Sequence, residues 1–180
     1  MRSRLVIFWL MASAALADES YHRILGLSAP EREPDLRATL KAIPEVELVR
    51  IDHEKTVVTL RYDPSALFLN ENPKKPLKRE DIDKRLDAKL RSASRGSFSL
   101  RPLCSIPQEE LERLSIRILI PDCKGCRLGT YNSIARLDGV EWVRFGDDFS
   151  ELIAWIDPKR TNRETLIEKM KKDRIEFPNP

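Results

Sequence analysis

The chain has 180 residues, 41% of them hydrophobic, enough to bury the core of one ordinary domain or two small ones. Its 32 basic residues are nearly matched by 29 acidic ones, and a net charge of +3 excludes the strongly basic profile of a nucleic-acid-binding protein. Six glycines and three cysteines exclude a collagen-like repeat and a disulfide-dense mini-scaffold.

At the N-terminus, Arg2 and Arg4 precede the apolar run Leu5-Val6-Ile7-Phe8-Trp9-Leu10-Met11, and small residues follow as far as Ala15-Leu16-Ala17. This is the order of a secretory signal peptide with an A-x-A-like cleavage site, so residues 1–17 are expected to be removed and the mature chain to start at Asp18. The run is shorter than the ~20 apolar residues of a spanning helix, so no stable membrane insertion is expected after cleavage. The expected location is exported, either periplasmic or secreted. Loss of Arg2 and Arg4 lowers the basic count from 32 to 30 against 29 acidic residues, which removes most of the basic excess. An oxidising compartment turns unpaired thiols into disulfides unless a metal or a reductant holds them.

Residues 18–101 read as a first unit. Alternation through Ile24-Leu25-Gly26-Leu27 predicts a strand, and Leu36, Leu40 and Ile43 recur at helical spacing after Pro34. Val46 to Asp52 and Thr56 to Tyr62 are rich in β-branched residues and flank the turn Asp52-His53-Glu54-Lys55, as in a hairpin. A loop over 65–77 reads as a surface insertion; Ile82, Leu86 and Leu90 then share one helix face, and Ser97 to Arg101 closes the unit as a strand. Residues 102–110, with Pro102 and Pro107, are the expected linker.

Residues 111–180 repeat the pattern. A displacement of 94 positions takes Leu40-x-x-Ile43-x-x-Val46 to Ile134-x-x-Leu137-x-x-Val140, and the same displacement takes Asp63-Pro64 to Asp157-Pro158. The second unit then has a strand at Ser115 to Ile120, a helix through Tyr131 and Ile134, strands Val140 to Phe145 and Glu151 to Ile156, and a helix carrying Leu166, Ile167 and Met170. Thr161 and Glu164 have the spacing of a capping box. Strand and helix order βαββαβ, taken twice, predicts an α+β protein of two tandem ferredoxin-like domains, each an antiparallel sheet with two helices on one face.

The sharpest chemical feature is Cys123-Lys124-Gly125-Cys126, set between a strand and a helix. There the positive end of the helix dipole favours thiolates, hence soft-metal binding or redox exchange. A closed structural zinc site needs four ligands, and no second C-x-x-C or neighbouring histidine supplies them. The spacing from Cys123 through Ile134, Leu137, Gly139 and Val140 to Asp157-Pro158 resembles the heavy-metal-associated domain family, whose G-M-x-C-x-x-C motif is followed by a helix and an L-x-G-V-like turn. The resemblance covers residues 114–177. It implies that Cys123 and Cys126 bind a soft ion, Cu(I) or Hg(II), and exchange it with a metal donor or acceptor protein. The chain departs from the motif in having Ile120-Pro121 where Gly-Met would precede the first cysteine, and in carrying Gly129 within the helix. The first unit keeps the skeleton without sulfur: Ala29 and Arg32 stand where the cysteines would, after Gly26-Leu27-Ser28. Its expected role is a scaffold, a docking surface or a cap on the other unit.

Cys104 in the linker is a possible third thiol, expected to lie away from the C-x-x-C. His22 and His53 are expected at the surface. In Glu151 to Asp157, alternation puts Leu152, Ala154 and Ile156 toward the core and leaves Ile153 and Trp155 on the outer face, joined by Trp142 and Arg144 from the paired strand. Trp142, Ile153 and Trp155 are therefore an expected interaction surface, covered by the first domain or by its 65–77 loop. Leu48, Thr59 and Arg61 are the corresponding first-unit positions. With no nucleophile and base, no phosphate loop and no paired general acid, the chain reads as a non-enzymatic carrier or sequestering protein. The alternative is an interaction or scaffold module in which the C-x-x-C is a disulfide or idle. A thiol-disulfide oxidoreductase would need a thioredoxin strand order and a cis-proline, for which Pro158 is the one candidate.

Overall fold

The computed structural model describes residues 18–68, 76–120 and 123–179. The expected signal segment 1–17, positions 69–75 of the 65–77 loop, and Pro121 lie outside the described residues.

The first sheet contains β1 (Asp18–Leu25), β2 (Val46–Asp52), β3 (Val57–Tyr62) and β4 (Ser99–Arg101), in the order β2-β3-β1-β4. Helices α1 (Glu33–Lys41) and α2 (Arg79–Ala93) cover it, burying Leu36 and Leu40 from one and Ile82, Leu86 and Leu90 from the other. The second sheet has β5 (Glu112–Arg117), β6 (Val140–Phe145) and β7 (Glu151–Ile156), in the order β5-β7-β6, with α3 (Lys124–Ala135) and α4 (Arg163–Lys172). Its fourth strand is reduced to one antiparallel bridge between Leu119 and Glu176. All pairings are antiparallel, and the architecture is the α+β, ferredoxin-like one that alternation and helical spacing predict.

The two sheets share one register. Asp18 opposes Tyr62 in the first, and Glu112 opposes Ile156 in the second, each displaced by 94. The Asp-Pro landmarks also make the same turn: Asp63 accepts a bond from the Ser65 amide and Asp157 from the Lys159 amide, both at 2.9 Å. A carboxylate that satisfies the amide two residues on fixes the exit of the central strand in both units.

The hairpins differ by a bulge. In β2 the ladder skips Val49, whereas in β6 it skips Glu141, two positions earlier in the repeat. A bulge inserts one residue and reverses the facing of the strand beyond it, so residues between the two bulge positions face opposite ways in the two units. Leu48 accordingly packs against the first core, correcting its expected place on the outer face. Its counterpart Trp142 stays on the outer face of the second sheet. The moved bulge also turns Glu141 outward to meet Arg23 of β1, carboxylate to guanidinium at 2.7 Å, while the Glu141 carbonyl accepts a second bond from the same group.

Three further expectations are corrected. The 65–77 loop is not wholly superficial, because Leu67 is fully buried in the first core and its carbonyl accepts a bond from Arg85. Helix α4 is capped by Asn162, whose side chain accepts from the Thr165 amide; Thr161 instead is buried one residue before the cap. Strand β1 starts at Asp18 and stops before Gly26. At Gly26 φ is +94°, and a Cβ would lie 2.1 Å from the Ser97 carbonyl oxygen, so the chain turns there on a residue without a side chain.

The buried Arg23–Glu141 pair joins the two units, and its side chains are only 11% and 10% exposed. Glu141→Gln strands the Arg23 charge, and urea unfolding is expected to show a loss of about 3 kcal/mol, whereas the double change Arg23→Met with Glu141→Leu recovers much of it. A loss below ~0.5 kcal/mol, the scale of a surface pair, would contradict this role.

Candidate functional site

Cys123 is the N-cap of α3, in extended conformation, and its sulfur accepts a bond from the Cys126 amide at 2.9 Å. The cap places one sulfur at the positive end of the helix and the other one turn in, with Cα atoms 5.2 Å apart. Cys123 is exposed and Cys126 half-buried. The two sulfurs are joined as a disulfide. In this state neither is a thiolate, and ligation of a soft ion requires reduction by two electrons to the dithiol. Gly129 does not interrupt α3, and it lines an open groove of about 590 Å³ beside Cys126, together with Leu119, Ile120 and Ile175.

The equivalent position in the first unit has a different fate. Ala29 precedes a single 3-10 turn, Pro30–Arg32, which leads directly into α1. Leu27, Ser28 and Ala29 are buried, and Leu25 and Ala29 belong to the second unit's apolar core, beside Tyr131 and Phe145. The Ser28 carbonyl accepts a bond from the Phe145 amide at 2.8 Å, and the Gly26 amide donates to the Tyr131 hydroxyl at 3.2 Å. Arg127 forks onto both Glu31 oxygens, at 3.0 and 3.1 Å, and lies over the Phe149 ring. Arg32 remains with its own unit, bonded to Asp35 and lying over Phe98. The loop that lacks sulfur is therefore a contact between the units, whereas Cys123 is exposed.

Cys104 is a half-buried free thiol whose Sγ–H donates weakly to the Ile106 carbonyl at 3.5 Å. Burial pushes its pKa up, so it is a poor thiolate. Among the described residues, no group of three or more His, Cys, Asp or Glu side chains is placed to share a metal ion, so Cys104 does not complete a three-ligand set with the C-x-x-C.

On the second sheet's outer face, Trp142 and Trp155 stack with ring centroids 5.1 Å apart, and Arg113 and Arg144 flank the Trp155 ring. Trp142 is 7% and Ile153 3% exposed, and Trp155 is half-buried. Trp142 and Ile153 are buried, so of the three residues Trp155 is the one that offers surface to another molecule. The Trp142 indole N–H has no partner among the described residues.

His22 is not at the surface. It lies beneath α2 at 3% exposure, 2.7 Å from the Ser20 hydroxyl and 4.0 Å from Asp83. Period-two alternation puts Ser20, His22 and Ile24 together on the helix-covered face of β1, a signal that a strand started at Ile24 does not include. His53 is half-buried in the hairpin turn and bonds Glu33 at 2.7 Å.

Comparison with known proteins adds little to this geometry. No known protein family matches the chain, and neither does any curated protein. Among solved structures, the chain is similar to the water-soluble region of the P-type ATPase CopA from Bacillus subtilis and to the solution structure of the N-terminal soluble domains of the same protein. Each is 14% identical, with a TM-score of 0.34 over 90% of this chain and 90% or 92% of the other.

Burial lowers the His22 pKa below its ordinary 6.5, with Arg79 acting in the same direction and Asp83 opposing. The unfolded chain then binds a proton that the folded chain refuses, so the contribution of His22 is full above pH 6.5 and is lost as pH falls below it. Urea midpoints measured between pH 5 and 8 are expected to decline on the acid side in the parent protein and to decline less in His22→Gln. Parallel curves for the two proteins would contradict a neutral buried imidazole.

Proposed function

We propose that the protein is an exported carrier or sequestering protein for a soft metal ion of the Cu(I) or Hg(II) type, with Cys123 and Cys126 as its ligands in the reduced state. The observation that carries this reading is the exposed C-x-x-C at the N-terminus of α3, where one sulfur is already the acceptor of a helix amide. That amide and the helix dipole favour the Cys123 thiolate, and two soft thiolates one turn apart suit two-coordinate binding of a soft ion. The absence of a third donor nearby among the described residues suits exchange with a partner protein, because a two-thiolate site leaves room for an incoming ligand. Reduction comes first: a dithiol reductant supplies two electrons and two protons to open the disulfide, and the ion then displaces the thiol protons.

The disulfide itself favours a second reading, in which the pair is a closed staple and the protein is an interaction module. One titration separates the two. Without reductant, one thiol per chain is expected to react with a chromogenic thiol reagent, and after reduction three. The reduced protein is then titrated with Cu(I), Hg(II) and Zn(II) against a competing chelator, beside Cys123→Ser and Cys126→Ser. Tight one-to-one Cu(I) or Hg(II) binding that both variants and the oxidised parent lack is the expected result. Equal weak binding in all four samples would overturn the carrier reading.

A further inference from the structure

At the end of the inter-unit contact opposite the disulfide's helix terminus, the C-terminus of α3 and the linker line an open cavity of about 510 Å³. Its lining is basic in a way the fold does not require. Arg23 and Arg101 stand directly opposite each other in the β1–β4 ladder, an unfavourable placement for like charges. Arg136, the C-cap residue of α3, and Arg160, after the Asp157 turn, enter from the second unit. Against these four guanidiniums the cavity has two carboxylates, each already committed: Glu141 to Arg23 and Asp138 to Arg160. Among the described residues, the Arg101 and Arg136 side chains have no hydrogen bond or ion pair. Burial, followed by the neighbouring Arg23 charge, lowers the Arg101 pKa, although a guanidinium stays protonated throughout the physiological range.

Two guanidiniums that lack a direct hydrogen bond or ion pair among the described residues, facing one cavity from two units, have the charge and geometry that a tetrahedral oxyanion needs, since each fork offers paired N–H donors. We propose that this cavity binds a small dianion of the phosphate or sulfate class, held between Arg101 of the first unit and Arg136 of the second. The bound anion relieves the repulsion between Arg23 and Arg101 and ties the linker and both units together. It occupies the space in front of Cys104, which lines the same cavity.

Cys104 makes the test local, because it is the free cysteine while Cys123 and Cys126 are joined. In the oxidised full chain, the rate of Cys104 alkylation by iodoacetamide is measured in sodium phosphate and in sodium chloride at matched ionic strength. At a phosphate concentration ten times that of half-effect, about a tenth of the sites are free, and alkylation is expected to be about tenfold slower than in chloride. Arg101→Gln and Arg136→Gln are each expected to abolish the protection. Arg136 is exposed at a helix end, so its variant folds even if Arg101→Gln perturbs β4. Without phosphate, Arg101→Gln is expected to melt higher than the parent, because it removes a like charge opposite Arg23. Equal alkylation rates in phosphate and chloride, or protection that survives in both variants, would overturn the proposal.

Discussion

The arrangement of the molecule depends on the burial of one short loop, residues 26–29, in the flank of the second unit. A loop of backbone carbonyls and amides enters an apolar contact only if its polar groups find partners there. The Phe145 amide and the Tyr131 hydroxyl supply them, while Leu25 and Ala29 complete the second core. The small size of Ser28 and Ala29 and the positive φ of Gly26 let the backbone approach this closely. A cysteine at position 29 would put its sulfur in a buried, apolar contact. The absence of cysteine from residues 26–32 therefore suits the use of this loop as a joint.

The same contact explains why the second unit presents its C-x-x-C as it does. Helix α3 is held on two sides: Tyr131 and Arg127 engage the first unit, and Ile134 sits in the second core. Arg127 lies in its N-terminal turn, so Cys123 caps a helix that is tied to both units. Preorganisation of this kind keeps two sulfurs within reach of one another in either redox state. It also leaves the disulfide open to an attacking thiolate, as a reducible pair must be.

Much of this was legible in the chain. The displacement of 94 located both hairpins and the register, because Asp63 and Asp157 terminate their strands by the same side-chain turn. Core positions such as Leu36, Ile82, Ile134 and Leu166 follow from helical spacing alone. The illegible features came from single-residue events. The bulges at Val49 and Glu141 leave no composition signal, yet they decide which way Leu48 and Trp142 face. The burial of His22 depends on how far β1 runs before Ile24, in a segment whose polar residues hide its alternation. The Arg23–Glu141 pair spans 118 positions and belongs to tertiary structure only. At the site, sequence located the two sulfurs correctly at a helix start, whereas the basic cavity needs four arginines from separated segments that no local pattern links.

Amide hydrogen exchange at Phe145 and Gly26 tests the central claim most directly. Both amides donate across the contact between units, so their protection reports the joint and not either sheet. If the first-unit loop is a structural part of the second core, these amides exchange with protection comparable to that of Leu60 and Ala154 in the sheet interiors. Fast exchange at Phe145 and Gly26 while Leu60 and Ala154 stay protected would mean that the two units separate readily, and would contradict the account.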